Sequence, residues 1–310
     1  DIQEFIEITD ILVCDNECYK LIIARLRSDC VKSLNLNSII LDPYNDLNRL
    51  TNLTSLALCK VTMSEECSKS LCSSISGFTH LKNLDLKNIT LHDCVLDIRG
   101  LTNLTTLTLC SVTMSAECSR SLCSCIRSCT HLDKLELDDI KLHDGVLDLS
   151  VSDLTALILC KVTMSEECCR YLCTCINSCA CLQMLDLNTM HLHDGTLDLR
   201  CLTNLTSLML AELNMYEECR SLYSDISGCT KLERLKLAWI TLPELDLSRL
   251  TKLTFLTMTS VTMVDDLSRC LCSSINNCTH LKRLELDNIT LHDGVLNLRN
   301  LTNLTYLMLE

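Results

Sequence analysis

Leu50-Thr51-Asn52-Leu53-Thr54-Ser55-Leu56-Ala57-Leu58 is one of six near-copies of a single segment in this chain. It returns as Leu101-Thr102-Asn103-Leu104-Thr105-Thr106-Leu107-Thr108-Leu109 and as Leu301-Thr302-Asn303-Leu304-Thr305-Tyr306-Leu307-Met308-Leu309. The copies begin at Leu50, Leu101, Val151, Leu202, Leu250 and Leu301, at steps of 51, 50, 51, 48 and 51 residues. A second leucine pattern lies inside each period, Leu81-x-x-Leu84-x-Leu86, and recurs from Leu132, Leu182, Leu232 and Leu281. In Leu56-Ala57-Leu58 the leucines alternate with a small residue, so on a short strand they point one way and Ala57 the other. One strand of that length cannot bury its face alone, but a stack of strands can.

Each period therefore holds two repeats of about 23 and about 28 residues. The shorter has little room for a helix. The longer has one over Ser64–Ile75, where Cys67, Leu71 and Ile75 share a helical face. Ser64 suits the N-cap, and Glu65 and Glu66 suit the positive end of the helix dipole. Gly77, Gly228 or Asn277 follows the helix where a left-handed cap is expected.

The spacing L-x-x-L-x-x-L-x-L resembles the leucine-rich repeat family over nearly the whole chain. That resemblance implies an α/β solenoid, a horseshoe of about thirteen repeats. A parallel sheet would line the concave face, with alternating short and helix-containing repeats on the convex one. One position departs from the family pattern. Where many such repeats carry Asn or Cys, this chain has Val61, Ile89, Val112, Ile140, Val162, Met190, Leu213, Ile240, Val261 and Ile289. The asparagine ladder is missing, and other groups must satisfy the turn backbone.

The copies span residues 1–310 as a single expected repeat domain. The start at Asp1 without a Met reads as a fragment or a processed form of a longer chain. At 47% hydrophobic and 22% charged, the sequence has ample material for a core. No apolar run approaches the ~18 residues a membrane span needs, so no membrane insertion is expected. The net charge of −13 argues against nucleic acid and favours a basic protein partner.

The 25 cysteines fall in repeat columns, such as Cys18, Cys67, Cys118, Cys168 and Cys219, or Cys129, Cys179, Cys229 and Cys278. Leu267 and Phe78 complete these columns, so the sites take hydrophobes rather than requiring thiols. Column neighbours are two repeats apart, about 10 Å, beyond disulfide reach. Reduced buried thiols indicate a cytoplasmic protein. Seven Asn-x-Thr sequons, at Asn52, Asn88, Asn103, Asn204, Asn277, Asn288 and Asn303, support the alternative of a secreted one. Cys173, Cys175, Cys179 and Cys181 invite a zinc reading, but core packing accounts for them better, and neither metal nor cofactor is expected. The recurring His92-Asp93, His143-Asp144, His193-Asp194 and His292-Asp293 pairs read as turns. No nucleophile column accompanies them, so an enzyme is not expected.

Leucine-rich repeats bind through the concave sheet, and the resemblance makes its outward residues the candidates. Long repeats present Asp85, Glu136, Asp186, Lys236 and Glu285, and short ones present Ala57, Thr108, Ile158, Met209, Thr257 and Met308. The fifth unit differs: Lys236 replaces an acid, Trp239 stands where other copies have Asn88, Asp139, Thr189 and Asn288, and Phe255 replaces small residues. With Arg234 and Met209 these form a candidate hot spot. The chain resembles the C-terminal domain of nucleotide-binding oligomerisation-domain-like receptors, which implies a protein or microbial ligand and a role in innate immune sensing. Less closely it resembles ribonuclease inhibitor, which implies an acidic inhibitor of a basic enzyme; a secreted pattern-recognition receptor is a third reading. The last strand, with Leu304, Leu307 and Leu309 uncovered and Tyr306 and Met308 on its other side, is expected to support a homodimer.

Overall fold

A computed structural model describes residues 10–25, 30–41, 47–149, 153–193, 197–215, 221–242, 245–263, 267–291 and 295–310. The chain divides into two compact units, Asp1–Leu154 with Val162–Cys168, and Thr155–Lys161 with Cys169–Glu310.

In the first unit six parallel strands follow one another in chain order: Asp10–Val13, Ser33–Asn37, Ser55–Cys59, Asn83–Leu91, Thr106–Met114 and Lys134–Asp138. Each pairs in register with the next, Leu34 beside Leu56, Leu56 beside Leu84, Leu84 beside Leu107 and Leu107 beside Leu135. The second unit repeats this with seven strands: Ala156–Cys160, Met184–Asn188, Ser207–Ala211, Arg234–Ala238, Phe255–Thr259, Arg283–Asp287 and Tyr306–Leu309. There Leu185, Leu208, Leu235, Leu256 and Leu284 lie side by side. All five are at most 2% exposed, so the leucine column is a continuous core and the residues between point to the open face.

The alternation of repeat lengths sets what crosses behind the sheet. Long repeats carry α-helices, among them Glu65–Gly77, Ala116–Ile126, Glu166–Ser178 and Leu267–Ile275. Short repeats carry a 3-10 turn at Leu47–Arg49, Leu199–Cys201 and Leu298–Asn300, whereas the first repeat, Asp10 to Ser33, fits the helix Asn16–Arg25 into 23 residues. Ser64, Ser115 and Ser165 accept the backbone N–H of Cys67, Cys118 and Cys168 at 3.2, 3.2 and 3.4 Å, the N-caps the sequence indicated. The cysteine columns are largely core: Cys67, Cys118, Cys168, Cys129, Cys179, Cys229 and Cys278 are buried, whereas Cys18, in the first helix of the stack, is exposed. Burial pushes the thiols of Cys129, Cys179, Cys229 and Cys278 up to about 11, which keeps them protonated and inert. Cys219 lies outside the described residues, as do Asp194, Gly195, His292, Asp293 and Gly294 of the later His-Asp turns.

The expected left-handed helix caps are not formed. Gly77 lies within its helix, the C-cap Phe78 has φ −84°, and no described glycine has positive φ. The left-handed residues instead follow the strand segment of each repeat, or lie within the longer strands at Asn88 and Ser111: Ser38, Lys60, Asn88, Ser111, Asp139, Lys161, Thr189, Glu212, Trp239, Ser260 and Asn288 have φ from 48° to 58°. This turn also replaces the missing asparagine ladder. The N–H of Lys60 donates to the Lys87 carbonyl at 2.9 Å, that of Lys161 to Asn188 at 2.9 Å, and that of Trp239 to Thr259 at 2.9 Å. Ser38, Thr189, Glu212 and Ser260 likewise pass their donors to the following strand, so the apolar residue after such a turn, as at Val61 or Ile240, is free to be buried.

Candidate binding face

The open face of the second unit carries two rows of side chains fixed by strand register. The first runs Met184, Ser207, Arg234, Phe255, Arg283 and Tyr306, and the second runs Asp186, Met209, Lys236, Thr257, Glu285 and Met308. Strands about 4.8 Å apart bring neighbours along each row into contact. The Arg234 guanidinium lies over the Phe255 ring at 4.9 Å, and that of Arg283 lies over Tyr306 at 4.2 Å. Cation and aromatic thus alternate along one row, each flattening the other into a fixed orientation. Met184, Met209, Arg234, Lys236, Phe255 and Arg283 line a shallow groove of about 410 Å³.

The charges on this face are not equivalent. Arg283 is tied to Glu285, its Nε 2.8 Å from Oε1, and Thr257 donates to the same carboxylate at 2.9 Å. Burial pushes the Glu285 carboxyl up. Hydrogen bonds from Arg283 and Thr257, with the charges of Arg283 and Lys236, more than offset this and hold it below the usual carboxylate range. Arg234 and Lys236 are exposed and have no ion-pair partner among the described residues. A protein of net charge −13 therefore presents two uncommitted cations, flanked by Phe255, Met184 and Met209, on this one face.

The first unit's face differs. Asp85 pairs with Lys87 at 2.9 Å and Glu136 with Lys134 at 2.8 Å, each partner two residues away on the same strand and hence on the same side. Asp85 and Glu136 are thus largely neutralised where they stand. A sequence column shows one position of each strand at a time and hides this pairing.

The fifth-unit cluster is only partly assembled. Phe255, Arg234, Lys236 and Met209 share the groove with Asp186. Trp239 is not among its lining residues. It follows Ala238 at the far end of its strand, whereas Phe255 pairs with Arg234 at the near end, roughly 15 Å away at ~3.3 Å per residue. The alternating cation–aromatic row brings in Arg283 and Met184, which sequence columns alone did not single out.

Trp239 is unusual in a second way. It is 60% exposed and has φ 55°, a conformation that suits the Asn88 and Asn288 of other copies far better than a bulky side chain. Trp239→Asn is expected to raise unfolding free energy by about 1 kcal/mol, seen as a higher urea midpoint at unchanged slope. A lower midpoint would show that the indole packs on its own chain.

Cys173, Cys175 and Cys179 are buried and Cys181 is exposed, which separates the members of the suspected zinc cluster. Among the described residues no group of three or more His, Cys, Asp or Glu is arranged to hold a metal ion, and no helix is long and apolar enough to cross a membrane.

No family model matches this sequence, and no curated protein does. Solved structures do. The functional domain of InlJ from Listeria monocytogenes, described as including a cysteine ladder, superposes with a TM-score of 0.63 at 20% identity. The alignment covers 96% of this chain and 57% of that one, so the chain spans little more than half of that domain's length. An internalin, InlF, from the same organism aligns at 17% identity over 96% of this chain and 86% of its own, with a TM-score of 0.48. The Arabidopsis receptor kinase HAESA ectodomain, solved with a peptide hormone, aligns at 18% identity over 83% of this chain and 38% of its own, with a TM-score of 0.44. The leucine ladder, the parallel strands in chain order and the superposition on InlJ agree: this chain has the fold of the leucine-rich repeat proteins.

Proposed function

We propose that the chain is a non-catalytic recognition module whose second unit docks a protein or peptide segment bearing a carboxylate beside an apolar side chain. The observation that carries this is the pair of uncommitted cations, Arg234 and Lys236, set against Phe255, Met184 and Met209 in one groove. A carboxylate reaching Arg234 meets a guanidinium already oriented by the Phe255 ring, so little conformational freedom remains to be lost on binding. Apolar neighbours on the ligand cover the methionines and the free ring edge.

The same charges bear on the finer readings. An inhibitor of a basic enzyme needs unpaired acids, and Asp85, Glu136 and Glu285 are each engaged by a cation of their own strand. A sensor of microbial or host proteins, with innate immune sensing as its setting, fits better. The buried, protonated thiols support a cytoplasmic setting for that role. The test is selection of a displayed random-peptide library on the intact chain, counter-selected on the Arg234→Glu/Lys236→Glu variant. Enriched sequences should carry Asp or Glu next to an apolar residue. Enrichment of basic sequences would overturn the reading.

A further inference from the structure

Cys94 occupies a position that three later copies give to glycine. The Leu-His-Asp turn continues with Gly145, Gly195 and Gly294 in later copies and with Cys94 in the first. At Gly145 the reason is close approach: an added Cβ would lie 2.8 Å from Cys123 Sγ and 2.9 Å from the Leu142 carbonyl oxygen. Cys123 and Cys72 hold the same helix position in successive units. A cysteine at the glycine position therefore drives a second thiol against the helix thiol. Cys72 Sγ and Cys94 Sγ are 2.8 Å apart, well inside the roughly 3.5–4.0 Å of an ordinary non-bonded contact. Both residues are buried, at 2% and 6% exposure. Ser68 Oγ accepts the His92 N–H at 3.0 Å and sits 3.4 Å from Cys94 Sγ, which fixes the turn over the helix.

We propose that Cys72 and Cys94 are a modification site: a thiol pair that closes to an intrachain disulfide by exchange with a low-molecular-weight disulfide such as oxidised glutathione. The Cys94 thiolate attacks one sulfur of the small disulfide, breaking its S–S bond and releasing one thiol. The Cys72 sulfur then attacks the Cys94 sulfur of the mixed disulfide, forms the Sγ–Sγ bond and expels the second small thiol. The two cysteine protons end on the two released thiols; the protein pair is oxidised and the small disulfide reduced. Hydrogen bonds from Cys118, Cys72 and Ser68 hold the Cys94 thiol below the usual range against its burial, which suits it to the first attack. His92, Asp93 and Val95 beside it are exposed, so a local opening of this turn is enough to admit the reagent. The bond ties the helix Glu65–Gly77 to the chain leaving the strand Asn83–Leu91, across a separation of 22 residues. Such a clamp restricts the unfolded chain and raises the stability of the first unit.

The intact chain is incubated with oxidised glutathione, unfolded in N-ethylmaleimide, digested and analysed by mass spectrometry. The expected product joins the Cys72 and Cys94 peptides with the loss of two hydrogens, and dithiothreitol separates them. Cys94→Gly, the residue of the other copies, should remove the cross-link, and so should Cys72→Ala. The oxidised wild type should also show a higher urea midpoint than the reduced. Recovery of both peptides separately alkylated or separately glutathionylated would overturn the proposal, as would a cross-link from Cys94 to Cys118.

Discussion

Reversing both charges with Arg234→Glu and Lys236→Glu is expected to weaken an acidic peptide selected on the wild-type chain by about a hundredfold. Each change removes an attraction and installs a repulsion, and Lys236→Glu also places a carboxylate between Asp186 and Glu285 in the same pair of rows. The loss should shrink as salt rises, because part of it is long-range field. Stability should fall by no more than about 1 kcal/mol, chiefly from losing the Arg234–Phe255 stack, since both side chains are exposed and neither has an ion-pair partner among the described residues. Fluorescence anisotropy of the labelled peptide gives the affinity, and a urea titration gives the control. Unchanged affinity would move the site off this face.

Leu210→Ala tests the core beneath that face. Leu210 is fully buried and lies between Leu187 and Leu237 of the adjoining strands. Truncation removes apolar contact on both sides, and a stacked ladder cannot close the gap without shifting neighbouring strands. The expected loss is about 3 kcal/mol, read from the urea midpoint. In a solenoid each repeat is held mainly by its neighbours, so the loss should propagate to peptide binding one strand away, at Lys236 and Arg234. A loss under about 1 kcal/mol would mean that the column is not a packed core.

The repeat made the strands and helices legible before any coordinates. Leucine spacing placed Leu56 and Leu58 inward and Ala57 outward, and Ser64 marked a helix start that Cys67 confirms by donating to it. The left-handed residues were not legible. They usually announce themselves by glycine, and here only Asn88, Asp139 and Asn288 favour that conformation among residues that are otherwise Ser, Lys, Glu, Thr and Trp, for several of which a backbone bond to the next strand holds the turn. The binding face was half legible. Sequence columns supplied Lys236 and Phe255, because each breaks a column, and Arg234 and Met209 as their neighbours. Arg283 was missed because its row becomes apparent only when the strands are set in register beside Phe255 and Tyr306. Trp239 was grouped with Phe255 because both are rare aromatics in one unit, although they sit at opposite ends of their strands. Cys94 drew no notice because an isolated change from glycine acquires meaning only against Cys72 behind it.

The chain's ten methionines supply the most direct test of the binding face. Met184 and Met209 line the groove, whereas Met63 and Met114 are buried in the first unit. With methionine methyl groups carbon-13 labelled, addition of a library-selected acidic peptide should shift the Met184 and Met209 resonances and leave those of Met63 and Met114 in place. Peptide binding that shifts Met63 or Met114 while Met184 and Met209 stay unmoved would contradict the account.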